Sequence, residues 1–298
     1  MSRRQRRLSP ATVFFALLSL ALGIALYLKT RPPTPTGAPS PRIAVSPAPS
    51  PAARRSPPPT RAAGRAPAPS PPRNAPGGEP RLAIVIDDLG NELAPARRLA
   101  GWPQPVAGAV LPGLAHSAAS ARALSEGGKQ VLLHLPMEPE GFPRVRPGPG
   151  VILRAQSDGE IAQTLEADLA TVPGAAGVNN HMGSAATADP RVMRAVARVL
   201  SHRGLFFVDS RTTDATVAER TAEEESVPSA RRRVFLDDVA TEAAVKERLD
   251  EAIERARTEG SAIAIGHPYP ATLAVLEREL PTAGEKGVKL VKVGELVK

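Results

Sequence analysis

From residue 81 onward, the chain alternates short apolar runs with longer segments in which apolar residues recur every three or four positions. Several runs are continuous rather than alternating, which is typical of strands buried on both faces of a parallel sheet. The predicted strands are Leu82–Ile86, Val106–Leu111, Gln130–Leu135, Ala175–Val178, Leu205–Val208, Val234–Leu236 and Ala262–Ile265, with Val288–Val293 as an optional eighth.

The intervening segments carry helix start signals. Ser157 with Glu160 forms a capping-box pattern, Asp189 precedes a proline, and Thr241 precedes an apolar stripe of helical period. Strands that alternate with helices indicate parallel βα units. Seven or eight such units predict an α/β fold with a parallel barrel, complete or incomplete, rather than an open doubly wound sheet. No G-x-G-x-x-G follows the first strand, so no dinucleotide site is expected.

The N-terminus has the pattern of a membrane anchor. Four arginines in residues 1–10 precede Ala11–Leu28, which is 18 residues without a charge. This is close to the length that crosses a bilayer and longer than the apolar core of an ordinary cleaved signal. The excess of arginine before this run favours a cytoplasmic location for the tail at residues 1–10. We therefore expect residues 11–28 to form an uncleaved, single-pass anchor in a bacterial inner membrane. The alternative is a cleaved signal that ends near Gly23. With either the anchor or the cleaved signal, the rest of the chain is exported across the inner membrane.

Residues 29–80 are dominated by Pro, Ala, Ser and Arg, with almost no large apolar residues. That composition is typical of a disordered, solvated linker, and it leaves residues 81–298 as the folded domain. Residues 1–80 contain twelve Lys and Arg and one Glu, which gives them a net charge of +11. Since the whole chain has a net charge of +8, residues 81–298 carry −3. The basic character therefore belongs to the tail and linker, and we expect no nucleic-acid binding.

Polar residues follow most of the predicted strands, and the carboxyl ends of parallel strands are where α/β folds build active sites. Asp237 and Asp238 are expected to cap a helix or to be solvated. The other strand-end candidates are Asp87, Asp88, His134, Asn180, His181, Asp209, Ser210 and His267.

Three histidines converging on one rim beside an acidic pair indicate a metal site. The chain has no cysteine, so His and carboxylate are the available ligands. One acid of the pair can then act as general base, and His267 can protonate a leaving group. A serine-hydrolase interpretation is weak because no G-x-S-x-G is present around Ser184 or Ser210. A glycosidase would need facing carboxylates, whereas adjacent Asp side chains are expected to diverge.

These residues resemble motifs of the divergent polysaccharide deacetylases, the YibQ-like branch of the NodB-homology deacetylases. The stretches that carry the resemblance, in order along the domain, are AIVIDDLG at 83–90, LHLPMEP at 133–139, NHMGS at 180–184, FVDS at 207–210 and GHP at 266–268. The resemblance implies a distorted (β/α) barrel of seven parallel strands, with an eighth as an option. It also implies a metal-dependent hydrolysis that removes acetyl groups from N-acetylated sugars.

The resemblance also implies roles for individual residues. Asp87 is the implied base, Asp88 and His134 are implied ligands of a divalent metal, with Zn²⁺ first, and His267 is the implied general acid. The second histidine of the family's H-x-x-x-H motif is replaced here by Glu138, so His181 becomes the expected third ligand and Glu138 its runner-up. Asn180, Asp209 and Ser210 are accessory candidates.

Two functions remain open at this point. The first is deacetylation of a peptidoglycan-like envelope glycan. The second is a non-catalytic module that keeps the fold to bind glycan or a cell-wall partner, which the altered ligand motif and the small supply of aromatic residues favour. The oligomeric state is not predicted.

Overall fold

The computed structural model describes residues 78–298. The predicted tail at 1–10, the predicted anchor at 11–28 and the linker up to residue 77 lie outside the described residues. Among the helices that the structure describes, none is long and apolar enough to cross a membrane.

The described chain forms one sheet in which every strand pairing is parallel. Along the sheet the strand order is β6-β5-β4-β3-β2-β1-β8-β7, and β9 pairs with β1. The strands are β1 (Arg81–Leu89), β2 (Ala107–Val110), β3 (Gln130–Met137), β4 (Ala175–Met182), β5 (Phe206–Asp209), β6 (Ser229–Arg231), β7 (Val234–Phe235), β8 (Ser261–Gly266) and β9 (Lys289–Leu290).

The connections are helical, and they begin where the sequence predicts. The Ser157 hydroxyl accepts from the Glu160 N–H in a complete capping box, Asp189 accepts from two N–H groups, and Thr241 accepts from one. The helices are α1 (Leu93–Ala100), α2 (Ser117–Glu126), α3 (Asp158–Thr171), α4 (Pro190–Arg203), α5 (Ala218–Glu224), α6 (Glu242–Glu259) and α7 (Pro270–Glu279), with short 3₁₀ turns at Leu280–Thr282 and Val293–Glu295.

The sheet curls until its two edges approach each other. β6 and β7 stand at opposite ends of the strand order, yet only Arg232 and Arg233 separate them in the chain. So short a connection spans about 10 Å at most. The Arg232 N–H donates to Asp209 O on β5 at 2.9 Å, and the Arg233 N–H donates to Ile263 O on β8 at 2.8 Å. The fold is therefore a curled, parallel half-barrel whose strand carboxyl ends converge.

Both faces of this sheet are buried. On β1, Leu82, Ile84 and Ile86 belong to the core shared with the helices, whereas Ala83 and Val85 belong to a second cluster formed inside the curl. The second cluster also includes larger side chains from other strands, such as Leu132 and Ile265. Burial on both sides explains why the apolar runs are continuous.

The structure differs from the predicted strands in three respects. β6 was not predicted, because its three residues, Ser-Ala-Arg, form no apolar run. The optional run Val288–Val293 contributes only the two residues of β9 before a 3₁₀ turn. Four strands continue beyond their predicted ends, β1 to Leu89, β3 to Met137, β4 to Met182 and β5 to Asp209. The candidates that therefore lie within strands rather than after them are Asp87, Asp88, His134, Asn180, His181 and Asp209.

Candidate active site

Three side chains from neighbouring strands meet at the carboxyl end of the half-barrel. His134 Nε2 lies 3.2 Å from Asp88 Oδ1, and His181 Nδ1 lies 3.0 Å from the same oxygen. The two ring nitrogens are 3.1 Å apart. One ligand atom from each of the three residues therefore falls within 4.8 Å of the others.

This cluster fits a divalent metal. Asp88 Oδ1 is buried and accepts no hydrogen bond of acceptable geometry, although two imidazole nitrogens face it. Lone pairs that converge in this way repel one another unless protons or a cation lie between them. Two imidazoles and a carboxylate are ordinary Zn²⁺ ligands, and three protein ligands leave a coordination position open. The structure thus brings together the three predicted ligands, Asp88, His134 and His181.

A break in the pairing of β1 turns both acids of the pair toward His134. Ile86 faces Gly108 and Leu89 faces Val110, so β1 has one more residue than β2 in this interval. Asp88 lies within it at φ 57°, in the left-handed region that few non-glycine residues adopt. Asp87 Oδ2 is 3.6 Å from His134 Nε2 and Asp88 Oδ1 is 3.2 Å from it. The expectation that adjacent Asp side chains diverge is therefore wrong here, because the bulge interrupts the strand's alternation.

The two acids have opposite protonation tendencies. Burial raises the pKa of Asp87, which is 3% exposed. Burial also acts to raise the pKa of Asp88, but the imidazoles of His134 and His181, 3.2 and 3.0 Å from its Oδ1, outweigh burial and hold that pKa below its ordinary value. Paired carboxyl groups whose pKa values are pushed apart are typical of an acid or base beside a ligand.

Asn179 connects the acid pair to the histidine cluster. Its Nδ2 donates to Asp87 Oδ1 at 2.8 Å and to Ser210 Oγ at 3.2 Å. Its Oδ1 is 2.9 Å from His134 Nδ1 and, as an acceptor, requires a proton on that nitrogen. His134 Nε2 is then left with its lone pair toward Asp88. Asn179 is fully buried, so water does not compete for these hydrogen bonds.

His267 reaches the same cluster from β8. Its Nε2 faces Asp88 Oδ2 at 3.8 Å, and its Nδ1 lies 2.9 Å from Asp237 Oδ1. Asp237 Oδ2 accepts from the His267 backbone N–H and from Thr272 Oγ1, both at 2.7 Å. Burial acts to lower the pKa of His267, but Asp237 outweighs it, and the pKa is raised. A protonated imidazole held in one orientation can act as a general acid.

Comparison with known proteins assigns the family. The model of the divergent polysaccharide deacetylase family matches residues 84–297. The chain belongs to the divergent polysaccharide deacetylases. It is 39% identical over 216 residues to an uncharacterized protein of Haemophilus influenzae, covering 72% of this chain and 76% of that one. It is also 39% identical over 199 residues to the Escherichia coli protein YibQ, covering 66% of this chain and 61% of YibQ.

A solved structure shares the fold. The crystal structure of the uncharacterized protein ATU2773 of Agrobacterium tumefaciens C58 superimposes with a TM-score of 0.71 at 26% identity, covering 76% of this chain and 92% of that one. The family and this likeness confirm the predicted resemblance, and they extend over almost all the described domain.

In this member of the deacetylase family, Glu138 lies outside the cluster of three ligands. Its carboxylate accepts from the Arg154 backbone N–H at 2.7 Å and from Arg154 Nε at 3.0 Å. This pairing occupies both oxygens of the runner-up ligand and fixes the start of the segment that leads to α3.

The accessory candidates hold the strand ends together. Asn180 Oδ1 accepts from the Ser210 N–H at 2.9 Å and its Nδ2 donates to Met182 O at 2.8 Å, which ties β4 to β5. Asp209 accepts from the Arg211 N–H and from Thr216 Oγ1, at 2.8 and 2.9 Å. Ser210 alone touches the cluster, through Asn179.

Sequence reasoning missed three residues beside the site. Asn179 precedes the accessory candidate Asn180, and only the strand's geometry distinguishes them. Asp237 was expected to cap a helix or to be solvated, but it is buried against His267. Arg232 donates to Ser210 O at 2.7 Å and lies 4.9 Å from the Phe235 ring, whose neighbour at 5.2 Å is His267. An acid placed directly after a buried strand was the available signal for Asp237.

Proposed function

We propose that this protein is a metal-dependent deacetylase that hydrolyses the acetamide of N-acetylated sugars in an envelope glycan. The observation that carries the proposal is the convergence of Asp88, His134 and His181. Asp87 lies 3.6 Å from His134, and His267 lies 3.8 Å from Asp88. Family membership over residues 84–297 supports the same reaction class. Zn²⁺ is the first candidate metal because it accepts two imidazoles and one carboxylate.

A divalent metal in this cluster would supply the Lewis acid that polarises the acetyl carbonyl. Asp87 accepts the proton of the attacking water, since its raised pKa makes it a stronger base than an ordinary carboxylate. Asn179 holds Asp87 Oδ1 and so directs Oδ2 toward the reacting atoms. A carbon–oxygen bond forms as the acetyl carbon–nitrogen bond breaks.

The departing nitrogen needs a proton. His267 Nε2 faces the cluster, while its Nδ1 is bonded to Asp237, so the ring presents one nitrogen to the substrate. Donation from His267 releases a free amine on the sugar, and acetate is the other product. The raised pKa of His267 keeps this proton available near neutral pH.

We also propose where the reaction takes place. The uncharged run at residues 11–28 and the basic residues before it support a single-pass inner-membrane protein. The proline-rich linker would then carry the domain into the periplasm, where a peptidoglycan-like glycan is within its reach.

The direct test is acetate release. The full-length chain, purified in detergent and loaded with Zn²⁺, is expected to release acetate from N-acetylglucosamine oligomers or from peptidoglycan. Asp87→Asn should lower the rate by about 10²- to 10⁴-fold, the usual contribution of a general base, while leaving bound metal unchanged. The matched control is Asp250→Asn, which removes an exposed acid on α6.

The second candidate function is a glycan-binding module without catalysis. The third ligand comes from β4 instead of the second histidine of an H-x-x-x-H motif, and this departure is the observation in its favour. Glycan binding by metal-loaded protein, with no acetate release from any of these substrates, would replace the deacetylase proposal by this one.

A further inference from the structure

A cleft of about 290 Å³ opens directly onto the candidate active site. It lies between the carboxyl ends of β1 and β8 and the helices α1 and α7 that follow them. Its walls combine two site residues with others to which the mechanism assigns no role. The lining residues are Asp88, Leu89, Asn91, Glu92, Pro95, His267, Pro268 and Tyr269.

Tyr269 is the aromatic side chain of this cleft, and it is 44% exposed. Its ring centroid lies 5.4 Å from that of His267 with a 33° tilt, so packing against the candidate general acid helps to fix its position. Two other aromatic residues of the chain, Trp102 and Phe142, do not line the cleft, and Trp102 is only 6% exposed. A positioned aromatic with an exposed surface beside a reactive site suits a ligand with an apolar face and polar edges.

The charge of the cleft restricts that ligand further. Glu92 is exposed, and no Lys or Arg of residues 78–298 forms an ion pair with it. The lining contains two carboxylates and neither Lys nor Arg. If Asp88 binds a metal, Glu92 is the carboxylate of the lining that has no cation beside it. A carboxylate on the ligand would be repelled by Glu92, whereas hydroxyl groups can donate to it.

We propose that the cleft binds a neutral N-acetylhexosamine unit of the glycan, with the C–H face of its ring stacked on Tyr269. Asn91 and Glu92 are placed to bond its hydroxyl groups. Because Asp88 and His267 form one wall, this sugar lies within one unit of the reacting acetamide. The inference rests on the proposed function for its choice of a glycan, and it adds a subsite and a requirement for neutrality.

Binding of chitotetraose, the neutral tetramer of N-acetylglucosamine, tests the stacking. Isothermal titration uses the full-length, Zn²⁺-loaded protein with Asp87→Asn, so that the ligand is not hydrolysed. In this background Tyr269→Ala is expected to give a Kd about tenfold weaker, within the range for loss of one aromatic contact. Tyr269→Phe and Tyr269→Trp should bind as the unaltered protein does, because they keep the ring. Val239→Ala is the control, since Val239 is 59% exposed and does not line the cleft.

A second ligand tests the requirement for neutrality. A tetramer that alternates N-acetylglucosamine with N-acetylmuramic acid bearing free carboxyl groups should bind more weakly than chitotetraose. Added salt should reduce the difference in Kd between the two tetramers, because it screens the repulsion from Glu92. Glu92→Gln should reduce this difference in Kd as well, and it should not weaken the binding of chitotetraose by more than about threefold.

The outcomes separate this inference from the proposed function. Binding of chitotetraose that depends on Tyr269, without acetate release, supports the subsite and contradicts the deacetylase. Acetate release with an unchanged KM and Kd in Tyr269→Ala supports the deacetylase and contradicts the subsite. Absence of chitotetraose binding, or tighter binding of the carboxylated tetramer, also contradicts the subsite.

Discussion

Asp237 holds His267 by two contacts, one to the ring and one to the backbone. Asp237 Oδ1 lies 2.9 Å from His267 Nδ1, and its Oδ2 accepts from the His267 N–H at 2.7 Å. Both the orientation and the charge of the imidazole therefore depend on a residue 30 positions earlier in the chain. A general acid that is held in this way should be sensitive to the loss of either contact.

Asp237→Asn should shift the pH dependence of acetate release. Removing the carboxylate charge lowers the pKa of His267, so the protonated imidazole is lost at a lower pH. The basic limb of the kcat/KM profile is therefore expected to move toward lower pH, with the rate at pH 8 reduced about tenfold or more. Asp238→Asn, at the exposed neighbour, should leave the profile in place. An unshifted basic limb in Asp237→Asn would show that His267 is not the acid.

The ligand set can be tested by metal content. His181→Ala should lose most bound Zn²⁺, because His181 Nδ1 is one of the three converging ligand atoms. Glu138→Ala is the matched control and should keep full stoichiometry, since Glu138 is engaged with Arg154. Inductively coupled plasma mass spectrometry on purified variants measures both. Retention of metal by His181→Ala together with its loss from Glu138→Ala would reverse the assignment.

Asn179→Ala should weaken metal binding although Asn179 is not a ligand. Without its Oδ1, nothing in this network selects the His134 tautomer that leaves Nε2 unprotonated. A loss of about 10- to 100-fold in Zn²⁺ affinity is expected, measured by competition with a chromogenic chelator. Asn91→Ala, which alters an exposed asparagine outside the network, should bind metal normally. Equal affinities in the two variants would exclude the tautomer argument.

Asp168 makes a prediction about stability rather than catalysis. It lies in α3 with its Oδ2 buried and without a partner, and burial raises its pKa to about 7. Below about pH 3 the carboxyl is protonated in both the folded and unfolded states. As pH rises from 4 to 7 the unfolded chain ionises first, so the folded state loses relative stability, by about 4 kcal/mol at most above pH 7.

Asp168→Asn removes this ionisation and should therefore raise stability at pH 8 by more than at pH 5. Urea unfolding midpoints at the two pH values measure the difference. Asp250→Asn, an exposed substitution on α6, should show no comparable gain. A gain from Asp168→Asn that is the same at both pH values would contradict the buried-charge explanation.

Local sequence patterns predicted most of the secondary structure of this protein. Apolar runs predicted seven of the nine strands and offered β9 as an optional eighth, because a strand buried on both faces consists largely of apolar side chains. Cap residues located the starts of α3, α4 and α6 for the same local reason. β6 was missed because its three residues are held by pairing with β5 rather than by apolar burial of their own.

The candidate site likewise has a part that the sequence predicted and a part that only the structure shows. Asp88, His134 and His181 could be predicted to converge because parallel strands bring their carboxyl ends to one edge. Whether Asn179 or Asn180 faces the cluster depends on the orientation of β4. The convergence of Asp87 with Asp88 depends on the bulge in β1, in which Asp88 has a φ of 57°. The bond between Asp237 and His267 requires β7 to pair with β8, its neighbour in the sheet.

The sequence by itself determined the elements, the family resemblance and the set of chemically capable residues. Only the tertiary structure decided which of those residues face one another, and it alone showed the partners of Asp87, His134 and His267. The physical reason is that apolar periodicity and capping act within a few residues of the chain. Side-chain direction and hydrogen-bond partners instead depend on register and backbone conformation between segments far apart in sequence.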